Sequence, residues 1–125
     1  MGIDEGQYIG TLAVATDARR PHRLAMQTEN SSVRRLSLNI VERLSMTADD
    51  LRFDFLDFCL DRMVSIEEFL GIQAVCMKLA FRMYQFYPEL ADELQRTLEA
   101  MEIDYYKPAV KGVRKRILSG KIRTF

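Results

Sequence analysis

Cysteine, proline and glycine are sparse in this chain: 2, 3 and 6 residues out of 125. So few prolines and glycines exclude a collagen-like or linker-like polymer. Two cysteines cannot staple a small secreted scaffold. Cys59 and Cys76 stand among apolar residues without metal-ligand spacing, which fits a reducing compartment. Net charge is lacking too, with 18 basic against 18 acidic side chains. Disordered chains combine low hydrophobicity with high net charge, so at 48% apolar residues disorder throughout is excluded. One domain with its own core is within reach. There is no apolar run that could span a bilayer, because the greasiest stretch, residues 69–81, is interrupted by Gln73 and Lys78. The first ten residues, MGIDEGQYIG, carry acids where a secretion signal needs bases, so a cytoplasmic protein is expected.

Catalytic groups are also scarce. The single histidine, His22, follows Pro21 and has no cysteine or second histidine at metal spacing. It reads as a solvent-exposed residue, and neither a metal nor a cofactor is expected. No G-x-S-x-G, G-x-G-x-x-G or phosphate-binding G-x-x-x-x-G-K-[ST] motif occurs. Cys59 has no basic activator nearby in sequence and reads as a core thiol. Asp50, Asp54, Asp57 and Asp61 fall on one helical ridge, where carboxylates splay outward rather than converge on an ion. They read as a solvated edge or a patch for a basic partner. A non-enzyme is therefore expected.

What the chain does have is helical periodicity. Residues 1–30 read as a flexible N-terminal arm, since Arg19-Arg20-Pro21-His22-Arg23 interrupts any continuous helix there. Residues 31–125 read as a helical interaction domain: an all-α bundle of about five helices. The first helix is expected near 32–45, capped by Ser31 or Ser32, with Val33, Leu36, Ile40 and Leu44 on its apolar stripe. The second runs from about Ala48 to Met63, started by Thr47-Ala48-Asp49-Asp50. The third starts at a Ser65-x-x-Glu68 capping box and stops before Pro88. The fourth carries Leu90, Leu94, Leu98, Met101 and Tyr105. The fifth spans Pro108 to Leu118, stopped by Gly120. No internal repeat is read along the chain.

Zero net charge conceals segregation. Residues 47–104 hold five bases against thirteen acids, whereas residues 105–125 hold seven bases and no acid. Such a basic end can dock on an acidic protein face or follow a phosphate backbone. The nucleic-acid alternative would use Lys111, Arg114, Lys115 and Arg116, but the acidic middle of the chain would repel nucleic acid, so direct binding of this kind is not favoured.

The second and third helices are apolar around more of their circumference than a surface helix needs. Five short helices cannot cover both. An uncovered patch is expected at Phe53, Leu56, Leu60 and Met63, serving as a homodimer or partner-binding face. Replacing Leu56 or Phe53 by Asp is expected to abolish partner binding and leave helicity intact.

The central stretch, LRFDFLDFCLDRMVSIEEFLGIQAVCMKLAFRMYQFYPELADELQRTLEAMEIDYYKP, resembles the small helical antiactivators of quorum sensing (the QslA type). That resemblance implies an all-helical homodimer that binds the ligand-binding domain of a LuxR-type (LasR-like) transcription regulator. By occupying the regulator's dimerisation surface it would prevent DNA binding. A membrane role is not implied. The alternatives are the nucleic-acid-binding module above and an adaptor subunit of a larger assembly.

Overall fold

The structure is a computed structural model that describes residues 20–44, 52–88 and 91–120. Among them are six α-helices, one short 3-10 turn and no strand: α1 Arg20–Gln27, α2 Ser31–Arg43, α3 Phe53–Val64, α4 Leu70–Tyr84, α5 Ala91–Ala100, the 3-10 turn Ile103–Tyr105, and α6 Pro108–Leu118. The all-α class stands. No helix among the described residues is long and apolar enough to cross a membrane. The chain divides into two compact units, Met1–Leu44 and Ser45–Phe125.

In the first unit α1 packs against α2. Helix α1 thus lies inside the segment expected to be an arm, of which residues 1–19 lie outside the described residues. Pro21 is tolerated because a proline in the first helical turn forfeits no intrahelical bond. His22, expected in solvent, is buried. The N-cap of α2 is Asn30 rather than either serine: its side-chain oxygen accepts from Val33 N at 3.1 Å. The guanidinium of Arg34 donates to the carbonyls of Ala25 (3.0 Å) and Thr28 (2.5 Å), serving the open C-terminus of α1. The buried face of α2 is Ser37, Leu38 and Val41, while Leu36 and Ile40 are exposed. The apolar stripe expected from spacing is therefore rotated. The small Ser37 lies on the buried side.

In the second unit α4 is the centre, in contact with α3, α5 and α6. Its burial over most of its circumference is what its sequence leads one to expect: Ile72, Val75, Cys76, Met77, Leu79, Ala80 and Met83 are all buried, while Gly71 is exposed and Lys78 and Arg82 are half-buried. α3 turns Phe55, Leu56, Cys59 and Met63 inward at helical spacing. Its expected start, Thr47 to Asp50, lies outside the described residues. α4 begins later than the capping-box reading requires. Ser65 to Glu68 form a turn, with Glu68 N on Ser65 O, and Phe69 is the N-cap. Other partners take both box residues: the Ser65 carbonyl accepts from buried Gln73 Nε2 at 2.5 Å, and the Glu68 carboxylate accepts from Arg62 and from Phe69 N. α5 stops at Ala100, short of Tyr105. α6 occupies the expected span, and Gly120 follows it at φ +70°, the left-handed conformation that glycine adopts without a Cβ clash.

Candidate protein-binding surface

The four residues expected to form one apolar patch are split by the packing of α3. Leu56 (5% exposed) and Met63 (0%) belong to the core and present nothing to a partner. Leu60 is half-buried. Phe53 alone is substantially exposed, at 57%, and its ring lies 6.0 Å from that of Tyr87. The reason is geometric: α3 uses the arc centred between Phe55 and Cys59 to meet α4, and Leu56 and Met63 fall within it.

Of the alternative basic set, Arg114 is half-buried and its Nε donates to Leu98 O at 2.8 Å, so it supports the last turn of α5. Lys115 and Arg116 are exposed on α6, and Lys111 is half-buried. Asp54, Asp57 and Asp61 are exposed, as the ridge reading requires, and Asp50 is outside the described residues. Arg52 holds Asp54 below the ordinary carboxylate value, and the Asp54 carboxylate also accepts from Phe55 N in the first turn of α3. No cluster of metal-ligating side chains occurs among the described residues. Cys59 and Cys76 are both free and buried, and burial, followed by the neighbouring Cys76, pushes the Cys59 thiol well up.

Sequence reasoning missed the apolar residues that are in fact uncovered. Among the described residues they include Ile66, Phe69 (63%) and Leu70 at the α3–α4 turn, and Ile103 and Tyr105 (66%) at the α5–α6 turn; Leu24, Leu36, Ile40, Phe53 and Phe86 are exposed elsewhere. Between these turns lies a groove of about 570 Å³, lined by Val64, Ile66, Ala100, Met101, Tyr105 and Tyr106, with Glu102 as its charged member. Tyr106 Oη donates to Val64 O at 2.6 Å, which ties one turn to the next. Burial, and after it the Glu102 carboxylate, raises the Tyr106 phenol above its ordinary value. At the opposite ends of the helices a second hollow of about 460 Å³ lies between Phe81, Tyr84, Pro88, Ala91, Leu94 and Ile117. The Tyr84 hydroxyl is buried, has no hydrogen-bond partner of good geometry among the described residues, and has the Glu93 carboxylate close by. Its phenol is raised by burial and then by the charge of Glu93.

Successive antiparallel helix pairs joined by short turns define an α-helical repeat protein, and the sequence carries the repeat once the helix ends are known. Leu56, Leu60 and Met63 of α3 stand 38 residues before Leu94, Leu98 and Met101. Ile72, Val75 and Leu79 of α4 stand 38 before Val110, Val113 and Ile117. The outward acids Asp54 and Asp61 have Asp92 and Glu99 at the same offset. The buried face of α2, Ser37, Leu38 and Val41, stands 38 before Val75, Cys76 and Leu79 of α4. The expectation that no internal repeat exists is therefore corrected. Leu56, Leu60, Met63, Val75 and Asp54 recur as identical residues and the other three pairs of α3 and α4 with α5 and α6 match by type, but misplaced ends of the third and fourth helices put the pairs out of phase.

This chain belongs to the HEAT repeat domain family, whose family model matches residues 20–121. Its period is slightly below the about 40–47 residues usual for such repeats. Neither the curated proteins nor the solved structures give a match. HEAT arrays stack helix pairs into extended surfaces used to bind other proteins, and a protein-binding role in general follows.

Proposed function

We propose that this chain is a non-enzymatic protein-binding module that acts by capturing a partner on the exposed apolar turns of its helix pairs. One observation carries the reading. Phe69, Leu70, Ile66, Ile103 and Tyr105 are large apolar residues, all exposed, and all lie at or near the same turns. Exposed large apolar side chains gathered in this way mark protein interfaces. The test is capture by the tagged chain followed by reconstitution with the purified partner. A stoichiometric complex weakened by Phe69→Ser supports the reading; a partner bound equally well by that variant rejects it.

The narrower reading is a regulator that blocks dimerisation of a LuxR-type transcription factor. It is supported by the resemblance of the central stretch to quorum-sensing antiactivators. Physically it is competition: the inhibitor must bind the regulator's monomer more favourably than that monomer binds itself. Adding the chain to a purified LasR-like ligand-binding domain should convert the domain's dimer into a mixed complex. A domain that stays dimeric at excess chain rules this out. Homodimerisation of the chain belongs to the same proposal, with Phe53 and Leu60 as the members of the expected patch still available for it. Sedimentation showing only a 14.5 kDa species at micromolar concentration rejects the homodimer.

A further inference from the structure

We infer that the groove between the α3–α4 and α5–α6 turns takes a short cationic–apolar segment of a partner protein, in which an apolar side chain is flanked by lysine or arginine. The inference deepens the protein-binding reading above and rests on it.

Three features of the groove define such an occupant. Its volume, about 570 Å³, lies inside the roughly 300–1,000 Å³ usual for pockets that enclose a ligand. Its walls are mainly apolar, with Thr97 and Glu102 as polar members, and preformed. Ile66 and Tyr105 stand exposed on either turn, and the hydrogen bond from Tyr106 Oη to Val64 O fixes the two turns together. A groove already held open loses less on binding than one that must be ordered. The charged residue that lines it, Glu102, is acidic. Among exposed sequence neighbours of its lining residues, the acids Glu67, Glu99 and Asp104 outnumber the bases Arg96 and Lys107.

Charge then selects the partner. A purely apolar segment would desolvate the carboxylate of Glu102 without pairing it, which is unfavourable. An acidic segment, or a nucleic acid, would meet like charge. A segment with cations beside its apolar anchor satisfies both walls and rim.

The experiment uses the full chain and three capped synthetic hexapeptides: Gly-Arg-Leu-Phe-Arg-Gly, its Glu-for-Arg counterpart and its Ser-for-Arg counterpart. Amide chemical shifts locate binding and titration gives affinity. The expected result is that the Arg peptide shifts amides of residues 64–69 and 97–106. It should bind about tenfold more tightly than the Glu peptide, an advantage that shrinks toward unity in about 0.5 M salt as the charges are screened. Glu102→Lys should remove that preference and Tyr105→Ser should weaken all three peptides, with the urea midpoint unchanged in both variants. Equal affinity for the Arg and Glu peptides, or shifts confined to other faces, overturns the inference. If the groove fails in this way while a reconstituted partner still binds the chain, the groove assignment falls and the protein-binding reading stands. If the partner also fails to bind, both fall.

Discussion

The phenol of Tyr106 reaches across 42 residues of sequence to the carbonyl of Val64, the last residue of α3, at 2.6 Å. The final carbonyls of a helix have no partner within it. Here the next repeat supplies one, and the same bond holds the turns of successive pairs in register. Related contacts recur within the pairs: Arg34 serves the end of α1, Gln73 the Ser65 carbonyl just after α3, and Arg114 the Leu98 carbonyl of α5.

Removing only the hydroxyl tests this link. Tyr106→Phe leaves the Val64 carbonyl without its donor and should cost about 0.5–1.5 kcal/mol. Urea denaturation followed by far-ultraviolet circular dichroism measures it. An unchanged midpoint would mean water replaces the phenol without loss.

Both perturbed tyrosines predict alkaline sensitivity. The folded-state phenols of Tyr84 and Tyr106 lie above the ordinary value of 10.0, so folding favours their protonated forms. Their contribution is fully present below pH 10 and is lost as the pH rises through the folded values. Urea midpoints should fall as the pH rises above about 10, the ordinary tyrosine value. The fall should be shallower for Tyr84→Phe and Tyr106→Phe. Equal slopes in all three proteins would remove the phenols as the cause.

The packing of α3 reverses the expectation made for Leu56. Leu56→Asp places a carboxylate in the core of the second unit and should unfold it, not merely silence binding. Met63→Ala, also in that core, should cost about 2–5 kcal/mol. Phe53→Ser should change stability by less than about 1 kcal/mol, chiefly the Phe53–Tyr87 ring contact. Thermal denaturation of the three variants ranks them; a folded Leu56→Asp chain would contradict the packing.

The stop after α6 depends on backbone rather than contacts. A Cβ at Gly120 meets no atom within 4 Å, yet the residue has φ +70°. Gly120→Ala should therefore cost about 1 kcal/mol from conformation alone. A similar loss for Gly112→Ala, where the helix interior should instead favour alanine, would undermine that explanation.

Thiol chemistry gives a probe of the core. Cys59 and Cys76 are buried, and burial keeps Cys59 in its unreactive protonated form. Dithionitrobenzoate should label neither until urea unfolds the chain. Fast labelling under native conditions would show that α3 and α4 separate readily.

Much of the helical content was legible from spacing. α6 lies at its expected limits because Pro108 and Gly120 are local signals that need no neighbour. The apolar circumference of α4 announced a central helix for the same reason. Local signals misled where longer contacts competed. The box at Ser65 and Glu68 reads as a helix start, yet Gln73 and Arg62 take its atoms and α4 begins at Leu70. Leu36 and Ile40 look like core by spacing, but α2 buries Ser37, Leu38 and Val41.

Sequence by itself settled that the chain is helical, where α6 begins and ends, and that α4 would be enclosed, since propensity, proline, glycine and apolar period act over a few residues. It also contained the 38-residue repeat, visible only once the helix ends were placed. Which greasy residues face outward was decided by tertiary structure alone. Leu56 and Phe53 are three residues apart on one helix, and only the direction from which α4 approaches makes one core and the other surface. The groove between the turns likewise exists only because Tyr106 and Val64, far apart in the chain, meet when the pairs stack.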